Sequence, residues 1–273
     1  LLASASRAAC VGYMLLADML LPDHKPEGVL SFDFPPVCHL SRRTNLLAAF
    51  TRWDSAHFLE AAANGWNDPQ RVYSHAFFPL YPLLVRWLAR LLEPLLVSPS
   101  LLCAAELRVA SGVLVSNGAF VVAACCLHRL GTRVLRDAAL ARTAAHLFCI
   151  APASVFFSTV YSESLFAAAT FGGLLLLESG APWRAALCLF LASGCRGNGV
   201  LNVLPVLCLG IHRVACELLP RRSHGMGGLG GGCTRGVAED SGLPTAGGPL
   251  GGPLGLVLRG KSRQTLSALH AAK

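Results

Sequence analysis

Long apolar runs, separated by short charged or proline-containing stretches, dominate the sequence. The run 109–127 holds no charged residue and matches the roughly 20 residues that a helix needs to cross a bilayer. A second uncharged run covers 143–160, and we interpret it as another span. Further, shorter apolar runs lie at 8–21, 164–177, 185–195 and 197–212. The pattern predicts an all-α fold and a polytopic membrane protein.

Two other apolar runs are each open to a second interpretation. Residues 8–21 are short for a span, and the alternative is a signal peptide. No small-residue cleavage pattern follows them, which favours a transmembrane helix. Residues 77–97 place Arg86, Arg90 and Glu93 on one helical face. This favours a helix lying in the membrane interface, and a helix crossing the bilayer is the alternative.

A polar stretch and a glycine-rich stretch mark the organisation of the chain. Residues 22–75 include four prolines between positions 22 and 36, and we interpret them as a long loop outside the bilayer. Loops of this length are usually functional. Residues 221–273 are rich in Gly and Pro and are expected to be disordered. The sequence therefore predicts a multi-pass membrane module, 1–220, followed by a tail, 221–273.

The composition agrees with a membrane protein and excludes other classes. The chain is 53% hydrophobic and 14% charged, whereas soluble domains carry about 25% charged residues. It has too few polar residues to cover a soluble enzyme and is too apolar to be disordered throughout. The net charge of +8 comes mainly from arginines between the apolar runs. That placement favours membrane topology over nucleic-acid binding, so no nucleic-acid partner is expected.

The arginines also predict the orientation of the spans. Four of them lie between positions 129 and 142, directly after the first uncharged run, and the positive-inside rule places them in the cytoplasm. Counting spans onward places Glu163 and Arg196 on the opposite side. If 77–97 lies in the interface, Asp54 shares that side with them. If 77–97 crosses the bilayer, Asp54 lies on the cytoplasmic side.

The eleven cysteines do not indicate a metal site. Most of them lie in apolar runs, where cysteine behaves as a small apolar residue. The sequence has no C-x-x-C pair and no Cys/His cluster with zinc spacing. Cys38 lies in the polar loop without a second cysteine near it in sequence. We expect no metal.

A polar cluster in the predicted loop, RWDSAH at 52–57, carries the first candidate chemistry. Asp54 and His57 are three residues apart and would share one face of a helix. A carboxylate beside an imidazole can transfer protons. The structural alternative is a helix start, with Asp54 as the N-cap and Trp53 as an anchor at the membrane interface.

Three later segments also combine polar and aromatic residues. The stretch His75–Pro82 (HAFFPLYP) is either an aromatic belt at the interface or a groove for a lipid chain. Glu163 lies in a turn between two apolar runs, where it is either solvated or part of a site. Arg196, followed by Asn198, can bind a phosphate through its planar guanidinium or extend to the lipid headgroups.

Four segments in this order resemble one family. They are RWDSAHFLEAAANGW at 52–66, HAFFPLYPLL at 75–84, APASVFFSTVYSESLFA at 151–167 and ASGCRGNGVLNV at 192–203. Together they are similar to the GPI mannosyltransferase 2 family, also called PIG-V, and the likeness runs from about residue 7 to about residue 215.

The resemblance implies a GT-C-type glycosyltransferase bundle in the endoplasmic reticulum membrane, with a long first lumenal loop. Such an enzyme transfers mannose from dolichyl-phosphate-mannose to the mannosylated glucosaminyl-phosphatidylinositol acceptor. The product is the second, α-1,6-linked mannose of the GPI anchor precursor. Asp54 matches the acidic residue of the first lumenal loop and is the expected general base. No cofactor beyond the donor substrate is implied.

Within this chemistry, the residue types indicate how the substrates would be held. Arg196 would hold the dolichyl phosphate, and Glu163 would orient the acceptor. The expected substrate-binding residues are Trp53, His57, His75, Glu163, Arg196 and Asn198. Membrane lipid is an expected partner, and a small membrane partner subunit is left open.

The chain departs from the family after the fourth segment. Family members continue with further spans, whereas this sequence becomes glycine-rich near residue 221. A truncated, non-catalytic fragment of the enzyme is therefore one alternative. A membrane transporter subunit is another, since polar residues within membranes often mark transport pathways. The long loop carrying an acid, and the lack of repeated halves, favour the enzyme.

Overall fold

The computed structural model describes residues 1–21, 46–66, 75–97 and 102–218. Within these ranges the chain is helical and forms no strand, which agrees with the predicted all-α class. The helices are α1 (Leu2–Leu20), α2 (Asp54–Asn64), α3 (Leu80–Leu96), α4 (Ala104–Leu135), α5 (Ala138–Cys149), α6 (Glu163–Glu178), α7 (Pro182–Ser193) and α8 (Val203–Leu218). Two 3-10 helices lie at Pro152–Phe157 and Gly197–Asn202. The predicted tail lies outside the described residues.

Helix α4 is the element on which the others assemble. Its 32 residues correspond to about 48 Å, and α3, α5 and α6 pack along it. Of the described helices, it is the one long and apolar enough to cross a membrane. It begins with a capping box, in which the Cys103 N–H donates to the Glu106 carboxylate at 2.9 Å and Cys103 Sγ accepts from the Glu106 N–H at 3.4 Å. The span predicted at 109–127 lies inside this helix.

The second predicted span, 143–160, is wrong as a single helix. Helix α5 ends at Cys149, and the 3-10 helix starts at Pro152. Proline has no N–H with which to continue the ladder, and its ring clashes with the preceding turn. The absence of charge made 143–160 look continuous, although its proline marks the interruption.

A buried guanidinium occupies this interruption. Arg7 on α1 is only 4% exposed. Its Nη1 donates to the Ser154 carbonyl at 2.8 Å and to the Ser158 hydroxyl at 2.9 Å, and Nη2 donates to the Cys149 carbonyl at 3.3 Å. The guanidinium carbon lies 3.8 Å from the centre of the Phe120 ring on α4, a cation–π contact. One cation therefore joins α1 and α4 to the carbonyls that the interruption leaves open.

The polar loop predicted at 22–75 contains a helix in its described part. Helix α2 buries Phe58 and Leu59 against the neighbouring helices. At its C-terminal end, Arg86 of α3 donates to the Ala61 and Ala62 carbonyls at 2.9 and 2.6 Å, and the Ala61 carbonyl also accepts from the Gly65 N–H. One charged residue of the 77–97 run therefore anchors α2. Whether α3 lies in the interface or crosses the bilayer stays a prediction.

The last apolar runs form shorter helices than a span requires. Helices α6, α7 and α8 have 16, 12 and 16 residues, against the roughly 20 of a straight span. The run 197–212 starts as the second 3-10 helix and continues as α8 to Leu218. Spans at these positions therefore stay predictions.

Gly199 fixes the turn between α7 and α8. A Cβ atom at this position would lie 2.5 Å from Ser193 Cα and 2.7 Å from the Ala192 carbonyl oxygen. Both atoms belong to the backbone at the end of α7 and cannot rotate away. The glycine therefore lets the second 3-10 helix pack directly on α7.

We expect Gly199→Ala to destabilise the fold by about 1–3 kcal/mol, because the added methyl group overpacks against backbone atoms. The matched control is Gly118→Ala on α4, where an added Cβ meets nothing within 4 Å. Thermal unfolding of the detergent-purified chain measures both variants. Equal melting temperatures for the two would contradict the packing of Gly199.

We expect Arg7→Met to destabilise the chain by about 1–3 kcal/mol, because the Ser154 carbonyl loses its donor, whereas the Cys149 carbonyl still accepts from the Ser6 hydroxyl at 2.9 Å. The control is Arg184→Met on the exposed part of α7, which should change stability by less than about 0.5 kcal/mol. The same unfolding measurement applies. A fully stable Arg7→Met variant would show that the guanidinium does not hold the interruption together.

Candidate active site

A cavity of about 390 Å³ opens where four segments meet. These segments are the start of α2, the residues before α3, the start of α6 and the turn after α7. The volume lies within the roughly 300–1,000 Å³ that is typical of ligand sites. The lining residues are Asp54, Phe58, Ala76, Phe77, Phe78, Ser162, Glu163, Cys195, Arg196, Gly197 and Asn198.

Asp54 supplies an unpaired carboxylate to the cavity. It is the first residue of α2, and its side chain is exposed and has no hydrogen-bond or ion-pair partner in the described part of the chain. The alternative that Asp54 caps the helix is wrong, because Trp53 occupies the N-cap position and no side chain makes a capping hydrogen bond there. The carboxylate is left available for a ligand.

Across the cavity, Arg196 forms an ion pair with Glu163. Arg196 Nη1 donates to Glu163 Oε1, and the two side chains are 39% and 25% exposed. The second carboxylate oxygen, Glu163 Oε2, is buried and accepts no hydrogen bond from any described residue. The pair brings together two residues that are 33 positions apart in the sequence.

Aromatic side chains form one wall of the cavity. The His57 ring stacks on the Phe77 ring with centroids 4.5 Å apart, and the Phe58 ring meets Phe77 edge-on at 5.1 Å. Trp66 Nε1 donates to the Phe77 carbonyl at 3.0 Å. Helix α2 and the residues after it therefore hold Phe77 and its neighbour Phe78 against the cavity.

The same wall is joined to the turn that carries Arg196. The Leu80 N–H donates to the Gly194 carbonyl at 2.9 Å. The Phe78 ring also lies 3.5 Å from where a Cβ on Gly197 would stand. The start of α3 and the end of α7 thus form one continuous surface.

The structure brings together four of the residues that the sequence singled out: Asp54, Glu163, Arg196 and Asn198. The other three, though described, are not among the lining residues. Trp53 is 64% exposed, His75 is also exposed, and His57 lies behind Phe77. The catalytic role of Asp54 and the substrate-binding roles of the other six stay predictions.

Tyr161 is a site residue that the sequence did not single out. The Asp54 N–H donates to its hydroxyl oxygen at 3.2 Å. Burial raises the pKa of the Tyr161 hydroxyl to about 12, and the charge of Asp54 contributes further. Its sequence signals were its place two residues before Glu163 and its position inside the motif segment at 151–167.

Cys195 was also missed, since it reads as one of several cysteines in apolar runs. It lines the cavity but is only 1% exposed. Burial raises the pKa of its thiol to about 12, with nearby Arg196 acting in the opposite direction. At neutral pH this thiol is protonated.

In the described part of the chain, no group of three or more His, Cys, Asp or Glu is arranged to hold a metal ion.

Comparison with known proteins finds one family. The family described as Mannosyltransferase (PIG-V) matches residues 13–224. GPI alpha-1,6-mannosyltransferase 2 of Rattus norvegicus is 37% identical over 191 residues, and the Homo sapiens protein of that name is 36% identical over the same length. GPI mannosyltransferase 2 of Drosophila pseudoobscura pseudoobscura is 33% identical over 219 residues. No solved structure matches the chain.

The chain spans less than half the length of these relatives. The alignment covers 69% of this chain but 37% of the rat and human proteins, and 74% of this chain but 46% of the fly protein. All four motif segments and every lining residue of the cavity fall inside residues 13–224.

We expect Cys195 to react with maleimide at pH 8 at least about 100-fold more slowly than an exposed thiol, because its thiolate fraction is small. The matched control is Asn198→Cys, which places a thiol at an exposed position of the same cavity. Peptide mass spectrometry measures both rates. Denaturation should abolish the difference, and equal rates in the folded chain would contradict the burial of Cys195.

Proposed function

Since the chain belongs to the PIG-V mannosyltransferase family, we propose that it is a membrane-embedded mannosyltransferase of GPI-anchor biosynthesis. The observation that carries the proposal is the cavity, which combines an unpaired Asp54 carboxylate with the Arg196–Glu163 pair. A base and a cation on one ligand-sized cavity suit the transfer of a sugar from a phosphate. The relatives' names supply the α-1,6 linkage and the GPI acceptor.

The proposed donor is dolichyl-phosphate-mannose, a β-linked mannosyl phosphate. An α-linked product then requires one displacement with inversion at the anomeric carbon. Asp54 takes the proton from the acceptor hydroxyl while the acceptor oxygen bonds to the anomeric carbon. The bond from that carbon to the phosphate oxygen breaks, and its electron pair leaves with dolichyl phosphate. The transition state has oxocarbenium character, as in other sugar transfers.

Arg196 is the proposed phosphate contact. A guanidinium has five N–H donors, and the ion pair with Glu163 engages Nη1. The remaining donors are available for charge-assisted hydrogen bonds to phosphate oxygens. Asn198 lines the cavity two residues further on and can donate from its amide.

Glu163 is the proposed contact for the acceptor glycan. Its Oε2 is buried and accepts no hydrogen bond from any described residue, so a small rotation of the carboxylate would allow a sugar hydroxyl to donate to it. Its Oε1 is engaged by Arg196, so the carboxylate links the two substrates. Phe77 and Phe78 offer apolar surface for a sugar face or a lipid chain.

We place the cavity on the lumenal side of the endoplasmic reticulum membrane, in a multi-pass protein. Cys103 at the start of α4 is disulfide-bonded, and disulfides persist in oxidising compartments. The other end of α4 carries Arg133 and Arg136, which suit the cytoplasmic side. Tyr81, beside the cavity wall, bonds to the Gly112 carbonyl, which is about 12 Å along α4 from its first residue. The cavity therefore lies nearer the disulfide end.

We expect Asp54→Asn to abolish rescue of surface GPI-anchored proteins in cells that lack the second GPI mannosyltransferase. Loss of a general base costs about 100- to 10,000-fold in rate, which is too much for rescue. The matched control is Asp137→Asn. Its carboxylate caps α5 by accepting from Ala139 and Leu140 N–H groups, and asparagine keeps that capacity. Surface staining by flow cytometry, with expression matched by immunoblot, is the measurement.

The results of this rescue experiment distinguish the role of Asp54 from the activity of the chain as a whole. Rescue by Asp137→Asn but not by Asp54→Asn supports the proposal. Rescue by both removes Asp54 as the base. Failure of the unmodified chain at matched expression would favour the alternative, a non-catalytic fragment of the enzyme.

A further inference from the structure

The residue before the candidate base has an unusual backbone conformation. Trp53 has φ 56° and ψ −129°, a region that residues with a side chain rarely adopt. The other described non-glycine residue with positive φ is Arg136, which has left-handed helical values at the end of α4, where they are common. Trp53 has no such explanation. A strained residue persists where its surroundings enforce it, and such residues cluster at functional sites.

The Tyr161 hydroxyl spans this strained residue. It accepts a hydrogen bond from the Asp54 N–H at 3.2 Å and lies 3.5 Å from the Arg52 carbonyl oxygen, to which it can donate. These two groups belong to the peptides on either side of Trp53. One hydroxyl therefore contacts both ends of the turn that introduces Asp54.

Tyr161 is itself held firmly. It is 6% exposed, and its carbonyl accepts a hydrogen bond from the Ser116 hydroxyl of α4 at 3.2 Å. Its ring contacts the Phe156 ring at 5.5 Å and the Phe58 ring at 6.2 Å between centroids. The Ser116 hydroxyl of α4 and the two aromatic rings therefore fix the position of Tyr161, whose hydroxyl contacts the turn at Trp53.

We propose that Tyr161 is a positioning residue that directs the Asp54 carboxylate into the cavity by holding the Trp53 turn in its strained conformation. The proposal rests on the proposed function, in which Asp54 is the general base. Tyr161 acts through hydrogen bonds to the backbone and does not exchange a proton with the substrate. The raised pKa of its hydroxyl agrees with this role, since the group stays protonated at neutral pH.

The same turn also carries Glu163, two residues later. Tyr161 contacts the residue that supplies the base, and Glu163 contacts Arg196, the proposed phosphate ligand. The distance between base and phosphate contact is therefore set within one short segment anchored to α4. Reacting groups need this accuracy, because a displacement of about 1 Å can cost about 100-fold in rate.

The first test compares Tyr161→Phe with Tyr81→Phe in steady-state mannosyl transfer by the full chain. Tyr81 is the buried tyrosine that serves as the control, and its hydroxyl bonds to the Gly112 carbonyl at 3.0 Å and to the Ser116 hydroxyl at 2.8 Å. Ser116 also donates to the Tyr161 carbonyl, and phenylalanine at position 81 leaves that hydrogen bond in place. We expect Tyr161→Phe to lower kcat by about 10- to 100-fold with the donor KM unchanged. Tyr81→Phe should leave kcat within about twofold while lowering the melting temperature. If both variants lost the same fraction of kcat, Tyr161 would contribute only to stability, and the positioning role would be contradicted.

The second test asks whether the Tyr161 hydroxyl still matters when residue 53 can adopt positive φ without strain. Glycine adopts positive φ without strain, so Trp53→Gly should allow the turn to form without help from the hydroxyl. The loss of kcat on Tyr161→Phe, measured in the Trp53→Gly background, should shrink to less than about threefold. A loss as large as in the unmodified background would overturn the proposal.

A third measurement does not depend on activity. Trypsin cleaves after Arg52, whose side chain is 42% exposed, at the peptide that enters the turn. We expect Tyr161→Phe to accelerate cleavage at this peptide at least about fivefold, since an unrestrained turn fits a protease more readily, and Tyr81→Phe to leave it unchanged. Unchanged cleavage in Tyr161→Phe would refute the positioning role. If the unmodified chain transfers no mannose, the proposed function fails, and this rate still decides whether Tyr161 holds the turn.

Discussion

The fold depends on the hydrogen bonds that the Arg7 guanidinium donates to backbone carbonyl groups where α5 ends and the chain is interrupted. Buried backbone carbonyls need donors, and in apolar surroundings water does not supply them. Arg7 gives its donors to the Cys149 and Ser154 carbonyls and stacks on Phe120. No carboxylate contacts it in the described part of the chain, so the cation is stabilised by neutral acceptors and one aromatic face. Because the carbonyls at the interruption have donors, the break after α5 is a stable part of the fold.

The interruption produces the turn on which the candidate site is assembled. Ser158, which binds Arg7, also donates to the Asn117 side chain of α4 at 3.0 Å. The chain then turns within a few residues and presents Tyr161 to α2 and Glu163 to Arg196. A continuous helix through this segment would point these side chains around its own axis instead. The interruption at Pro152 thus determines both which backbone carbonyls need hydrogen-bond donors and where the side chains of the cavity lie.

The sequence predicted several of the residues that meet at the cavity, but not how the cavity is built. Alternating apolar runs and the arginines near α4 placed Glu163 and Arg196 on one side, with Asp54 beside them only if 77–97 lies in the interface. The structure brings all three to one cavity. Charge and average hydropathy do not show the break inside the uncharged run 143–160, whereas Pro152 itself is a local signal that a helix ends. Trp53 was grouped with the ligands, and its positive φ has no signal in a residue type. Contacts such as that of Tyr161 with Asp54, 107 positions apart, depend on packing that no local pattern encodes.

The contacts of Arg7 also impose an order on biosynthesis. The Ser154 carbonyl that it binds lies 147 residues later in the chain. At roughly 5–20 residues per second, a ribosome needs about 7 to 30 seconds to make that partner. During this interval the guanidinium of α1 must remain with water, headgroups or the insertion machinery, since an unpartnered arginine is costly in the bilayer centre. Helix α1 is thus synthesised well before its partners, and its contacts are completed only after the chain has been made as far as Ser158.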